Sequence, residues 1–98
     1  MAKISIEEIG IDDQQRLYIK VSRKSYEYVY RAATGVHWDK DKAFLHSPVP
    51  TEMTYLQWFS RIISTIIQEY DDHLEVTINT RWINTPEDLR SEIQSLKS

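Results

Sequence analysis

Residues 54–70, TYLQWFSRIISTIIQEY, decide the fold class. Thr54 followed three positions later by Gln57 matches a capping box, in which the threonine and glutamine side chains each satisfy one free backbone N–H at the start of a helix. Phe59, Ile62, Ile63, Ile66, Ile67 and Tyr70 then recur at helical spacing and gather into one apolar stripe. The stripe is rich in β-branched isoleucine, whose stiff χ1 lowers helix propensity. Such a helix is marginal alone and draws its stability from packing, so the stretch predicts a core-facing helix lying across a sheet.

Strand patterns stand on both sides of it. Upstream, Ile4 and Ile6, then Ile9 and Ile11, alternate with a phase change at Glu7-Glu8 that predicts a bulge or bend. Asp12-Asp13-Gln14-Gln15 is turn-like, and Leu17, Ile19 and Val21 alternate after it, completing a hairpin. Tyr26, Tyr28 and Tyr30 alternate too; extended structure is expected over 26–34, although Tyr30 to Ala33 before Gly35 could also end a short helix. Val36-His37-Trp38 and Ala43-Phe44-Leu45-His46 flank a polar turn at 39–42 and predict a second hairpin. Ser47-Pro48-Val49-Pro50 then stops any ladder, because proline lacks a donor and restricts its predecessor.

Downstream of the helix, Leu74, Val76 and Ile78 alternate with polar residues as a one-sided strand that could run on to Trp82. Thr85-Pro86-Glu87-Asp88 supplies a cap, a first-turn proline and two acids, and Leu89, Ile93 and Leu96 form a short stripe. The order hairpin, hairpin, helix, strand, helix predicts a single α+β domain over residues 1–98. It comprises an antiparallel sheet of four or five strands, a long helix (about 54–70) on one face and a short C-terminal helix (about 86–96).

Composition narrows the chemistry. With 41% hydrophobic and 28% charged residues in 98 positions, one core forms without a disulfide or structural metal. No cysteine is present, which removes thiolate catalysis and thiolate zinc sites and suits a reducing compartment. Two carboxylates, Glu7 and Glu8, precede any signal-like apolar run, so a cytoplasmic location is expected, and no apolar stretch approaches the length of a membrane span. The net charge of −3 disfavours nucleic acid, which calls for a concentrated basic excess.

No catalytic constellation stands out. The acid pairs occupy turns and helix starts, Gly-x-Ser-x-Gly is absent, and two glycines cannot build a phosphate loop. The reading leans away from an enzyme, and no cofactor or metal is expected. His37, His46 and His73 lack helical ligand spacing, although His37 and His46 would become cross-strand neighbours in the second hairpin. The feature above background is aromatic: eight of residues 26–59 are Tyr, Trp or Phe. Phe44 and Phe59 fall on periodic apolar faces and are expected in the core. Tyrosine and tryptophan also carry a polar handle suited to contact surfaces. A Tyr26-Tyr28-Tyr30 row beside Arg23 or Arg31 would suit a protein partner. The ligand or interface candidates are therefore Tyr26, Tyr28, Tyr30, His37, Trp38, Tyr55, Trp58 and Arg81.

Ala33-Thr34-Gly35-Val36-His37-Trp38-Asp39, His46-Ser47-Pro48 and Thr54-Tyr55-Leu56-Gln57-Trp58-Phe59 resemble small bacterial proteins of unassigned function, some encoded on mobile integron gene cassettes. The resemblance covers roughly residues 26–89. It implies a compact bacterial α+β protein, often self-associating, and supplies no functional residues. The leading expectation is a non-enzymatic binding protein that forms a homo-oligomer, with a dimer favoured. The alternatives are a small-molecule pocket or minor enzyme built from Tyr30, His37, Trp38, Tyr55 and Arg81, and an immunity or antitoxin-like protein.

Overall fold

The computed structural model describes residues 2–21 and 24–96. Among the described residues six strands form one mixed sheet: β1 (Ala2–Ile11), β2 (Leu17–Val21), β3 (His37–Asp39), β4 (Phe44–His46), β5 (Asp72–Glu75) and β6 (Arg81–Ile83). The helices are α1 (Tyr55–Tyr70) and α2 (Glu87–Ser95), with a 3-10 turn at Val29–Arg31. The α+β class, the two hairpins and both helices are those expected.

β1 is the longest strand because it serves two edges at once. Along one edge it pairs antiparallel with β2, through Ile6↔Val21, Ile9↔Ile19 and Ile11↔Leu17, with the register shift between Ile6 and Glu8 that the phase change predicted. Along the other it pairs parallel with β5, through Ile4↔Leu74, and then with β6, through Ile9↔Trp82. The sheet is therefore mixed and six-stranded rather than wholly antiparallel. Beyond β2 the order continues through β4 to β3.

The expected single strand from Leu74 toward Trp82 is broken. Thr77 Oγ1 accepts from Asn79 N and Thr80 Oγ1 accepts from Thr77 N, a local turn that diverts the chain and leaves Ile78 fully exposed. Thr80 Oγ1 also donates to Ile6 O at 2.8 Å, so the carbonyl at the gap between β5 and β6 keeps a partner.

Residues 26–34 are not extended either. Val29 N bonds to Tyr26 O and Arg31 N to Tyr28 O, each at 3.0 Å. In this tight turn positions i and i+3 share a side, so Tyr26 and Val29 are buried together while Tyr28 and Tyr30 turn outward. The alternation that looked like a strand comes from the turn.

Thr54 and Gln57 form the reciprocal capping box, with bonds of 3.1 and 2.8 Å. Trp58, Phe59, Ile62, Thr65 and Ile66 are the buried face of α1, and Ile63 and Ile67 lie half-buried beside it. Leu89 and Ile93 of α2 join the same core, although α2 is capped by Pro86 rather than Thr85. Both helices cover the face of the sheet that carries Ile6, Ile9, Leu17, Ile19, Leu45 and Trp38. Gly35 has φ +87°, and a Cβ there would lie 2.5 Å from the Trp58 ring, so the chain turns against the helix where only glycine fits. No helix among the described residues is long and apolar enough to cross a membrane.

The β1–β2 turn is locked by Asp12, whose Oδ1 accepts from Gln14 N and Arg16 N while Oδ2 meets the Arg16 guanidinium at 2.8 Å. Burial pushes its carboxyl up, but the Arg16 backbone and side-chain bonds, the Arg16 charge and the Gln14 N–H outweigh that and hold it below its ordinary value. A depressed folded-state value means stability that is complete above the unfolded pKa, about 3.9, and lost as the pH falls through the folded value. Asp12→Asn is therefore expected to lower the urea midpoint at pH 7, with the gap to the parent closing at acid pH; a gap independent of pH would contradict this. Gly35→Ala should destabilise by about 2 kcal/mol from left-handed backbone strain and overpacking, read by the same titration.

Candidate functional site

The candidate residues separate by depth and face. Tyr26 is almost wholly buried: its hydroxyl donates to Asp72 Oδ2 at 2.9 Å, and its ring meets Tyr70 at 4.8 Å and Trp38 edge-on at 5.8 Å. Lys24 Nζ lies 3.1 Å from the same buried carboxylate. Burial, then the Asp72 bond and charge, push the Tyr26 phenol far above its ordinary value, so it stays a donor. Tyr26 holds the core together and does not belong to a surface row.

Tyr28 and Tyr30 do face water, at 59% and 52% exposure. The Arg31 guanidinium stands 4.8 Å from the Tyr28 ring centroid and 5.8 Å from that of Tyr30. The three form a compact cation–π cluster on the 3-10 turn, anchored beneath by Tyr26 and Val29. Glu27 is exposed beside them, and Arg23 lies outside the described residues.

Trp58 is buried against Gly35, with Arg61 at 6.0 Å from its ring and reaching Thr34 O. Tyr55 is half-buried and donates to Gln15 O at 2.9 Å, tying the start of α1 to the first hairpin turn. Trp38 packs on the core side.

The opposite sheet face carries the remaining candidates. Successive residues point to opposite faces, so the rows Ile83, Gly10, Tyr18, His46, His37 and Arg81, Glu8, Lys20, Phe44, Asp39 run across it. Arg81 Nε lies 3.2 Å from Glu8 Oε1, and Glu8 Oε2 accepts from the Tyr18 hydroxyl at 2.6 Å. The Tyr18 ring covers Gly10 and stacks on Phe44 at 4.6 Å. Phe44 is thus buried as expected, but on this second face and outside the main core cluster. His37 and His46 pair across β3 and β4 with ring centroids 5.3 Å apart. Burial lowers the pKa of His46, which favours the neutral ring.

These positions do not make the pocket considered from sequence. β3 and β6 are four strand spacings apart, about 19 Å, which separates His37 from Arg81, and Trp38 lies on the other face. A groove of about 500 Å³ instead opens where α2 begins, lined by Trp82, Asn84, Thr85, Glu87, Arg90 and Gln94 among others. There the Arg90 guanidinium sits 5.1 Å from the Trp82 ring. Sequence reading missed it because Trp82 and Arg90 lie on different elements and share no period. Tyr18 carried a usable signal, an aromatic on the nominally solvated side of a strand.

The family model described as integron cassette protein Hfx_Cass5 matches residues 3–80. The chain belongs to that family. A solved Hfx_Cass5 structure from the mobile metagenome of the North West Arm sewage outfall is 35% identical, with 97% of this chain and 95% of that chain covered and a TM-score of 0.51. No curated protein matches. The resemblance to cassette-encoded proteins is thereby established. The family model takes in both the tyrosine cluster and the histidine pair and ends at residue 80, before the groove beside α2, which the structural match extends into.

Tyr26→Phe removes one partner from the buried Asp72 carboxylate and leaves Lys24. A loss of about 1–3 kcal/mol is expected in a denaturant titration, the range for a charged group deprived of a hydrogen bond. An unchanged midpoint would show that the bond contributes nothing.

Proposed function

We propose that this member of the Hfx_Cass5 family is a non-enzymatic binding protein that self-associates as a dimer, with Tyr28, Tyr30 and Arg31 at the centre of the contact. The observation that carries the reading is the exposed Tyr28–Arg31–Tyr30 cluster, mounted on a turn that Tyr26 and Val29 anchor in the core. Tyrosine and arginine dominate interface hot spots because they combine large apolar area with directional polar groups. Here the turn pre-orders them, which lowers the entropy cost of contact.

A second copy is the partner the local charge favours. Glu27 and Arg31 are both exposed on one turn, and a two-fold axis through the cluster would place each opposite its complement. The self-association implied by the cassette-protein resemblance points the same way. The engaged carboxylates support a binding role over catalysis: Asp12 closes a turn, Asp72 anchors Tyr26 and Lys24, and Glu8 links Tyr18 to Arg81. Cytoplasmic residence belongs to the same proposal, supported by the cysteine-free sequence.

The groove at Trp82 and Arg90 favours a second reading, a site for a small polar ligand. Retention of that ligand class by the parent and its loss in Arg90→Ala would support it.

Sedimentation across a concentration series tests the dimer. The parent should dimerise, Tyr28→Ala with Tyr30→Ala should be monomeric with unchanged circular dichroism, and Arg31→Glu should weaken the dimer until Glu27→Arg is added. A parent that stays monomeric up to about 1 mM, or a dimer indifferent to these changes, would overturn the proposal.

A further inference from the structure

The geometry points to a two-histidine site for a divalent transition ion of the Zn²⁺, Ni²⁺ or Cu²⁺ kind, formed by His37 and His46 at the outer edge of the sheet. The two residues are direct partners in the β3–β4 ladder, a placement that brings their Cβ atoms to about 5 Å. Imidazole nitrogens bind such ions at about 2.0–2.1 Å; with each ring centre about 1.1 Å behind its nitrogen, two rings at a tetrahedral angle have centroids about 5.2 Å apart. The observed separation is 5.3 Å. The two rings are stacked with their planes 27° apart, so binding one ion between them requires the exposed His37 ring to turn out of the stack.

The surroundings of His46 supply a second, independent observation. His46 Nδ1 lies 2.9 Å from Ser47 O. An Nδ1–H donated to that carbonyl fixes the tautomer and leaves the Nε2 lone pair free, the arrangement by which metal-bound histidines are commonly oriented. The acceptor is itself rigid. Ser47 is buried, its N–H bonds to Leu17 O, and its hydroxyl both accepts from Leu17 N and donates to Pro48 O. Phe44 packs edge-on against the His46 ring at 6.1 Å. His46 is thus the fixed ligand and His37 the adjustable one.

Asp39 lends His46 an attractive charge that the Arg16 and His37 charges oppose more strongly, and Arg16 is itself ion-paired with Asp12 at 2.8 Å. Among the described residues no group of three or more His, Cys, Asp or Glu side chains is placed to hold an ion, so the site offers two protein ligands and open positions. Imidazole donors select borderline transition ions over Mg²⁺ or Ca²⁺, which take oxygen ligands.

The test uses the full chain without an affinity tag, titrated with ZnCl₂, NiCl₂ and CuCl₂ by calorimetry while the histidine ring resonances are followed by NMR. One ion per chain is expected, perturbing His37 and His46 together. His37→Ala and His46→Ala should each weaken binding about tenfold or more, equivalent to about 1.4 kcal/mol. His73→Ala, at the opposite edge on β5, should have no effect. Because His37 is exposed, His37→Ala keeps the test valid if His46→Ala fails to fold. Binding equal in the parent and His37→Ala, loss in His73→Ala, or no binding up to about 1 mM ion would overturn the proposal.

Discussion

β1 is paired on both edges, with β2 from Ile6 to Ile11 and with β5 and then β6 along the other side, and the rest of the molecule is arranged by that double ladder. On one side β2 returns directly through the Asp12 turn; on the other, β5 and β6 arrive only after the chain has crossed through α1. Ile6 and Ile9 lie at the centre, fully buried, and receive the apolar faces of both helices. The weak point is the gap between β5 and β6, where the Thr80 hydroxyl takes the place of a strand neighbour at Ile6 O. A buried carbonyl without such a partner would cost about 1–3 kcal/mol, so one hydroxyl makes two short strands act as one long edge.

Much of this was legible in the sequence because it rests on local periodicity. The capping box, the isoleucine stripe, the bulge at Glu7-Glu8 and the facing of His37 with His46 all follow from residues within one element or one hairpin. Parallel pairing did not show. Nothing in Asp72–Glu75 or Arg81–Ile83 states which neighbour they will take, since that depends on the crossover made by α1. The tyrosines misled for a related reason. A spacing of two suits a strand, but Val29 between them and Gly35 beyond suit a turn, and only the burial of Tyr26 against Asp72 settles the choice.

The candidate surfaces were less legible than the core. Tyr28 and Tyr30 were recognisable from type and spacing, whereas the Tyr18–Phe44 stack and the groove beside α2 join residues far apart in the chain. The sheet has two unlike faces. One is sealed by helices, and the other is crossed by short polar and aromatic rows in which Glu8, Tyr18 and Arg81 satisfy one another. Its small aromatic cluster of Tyr18 and Phe44 is therefore buried and stacked without belonging to the main core.

The 3-10 turn separates two kinds of structural constraint within six residues. Tyr26 and Val29 are bound to the interior, so change there is felt by Asp72, Trp38 and Tyr70. Positions 28, 30 and 31 project away from it. Substitution at those three positions therefore leaves the interior contacts of the turn untouched.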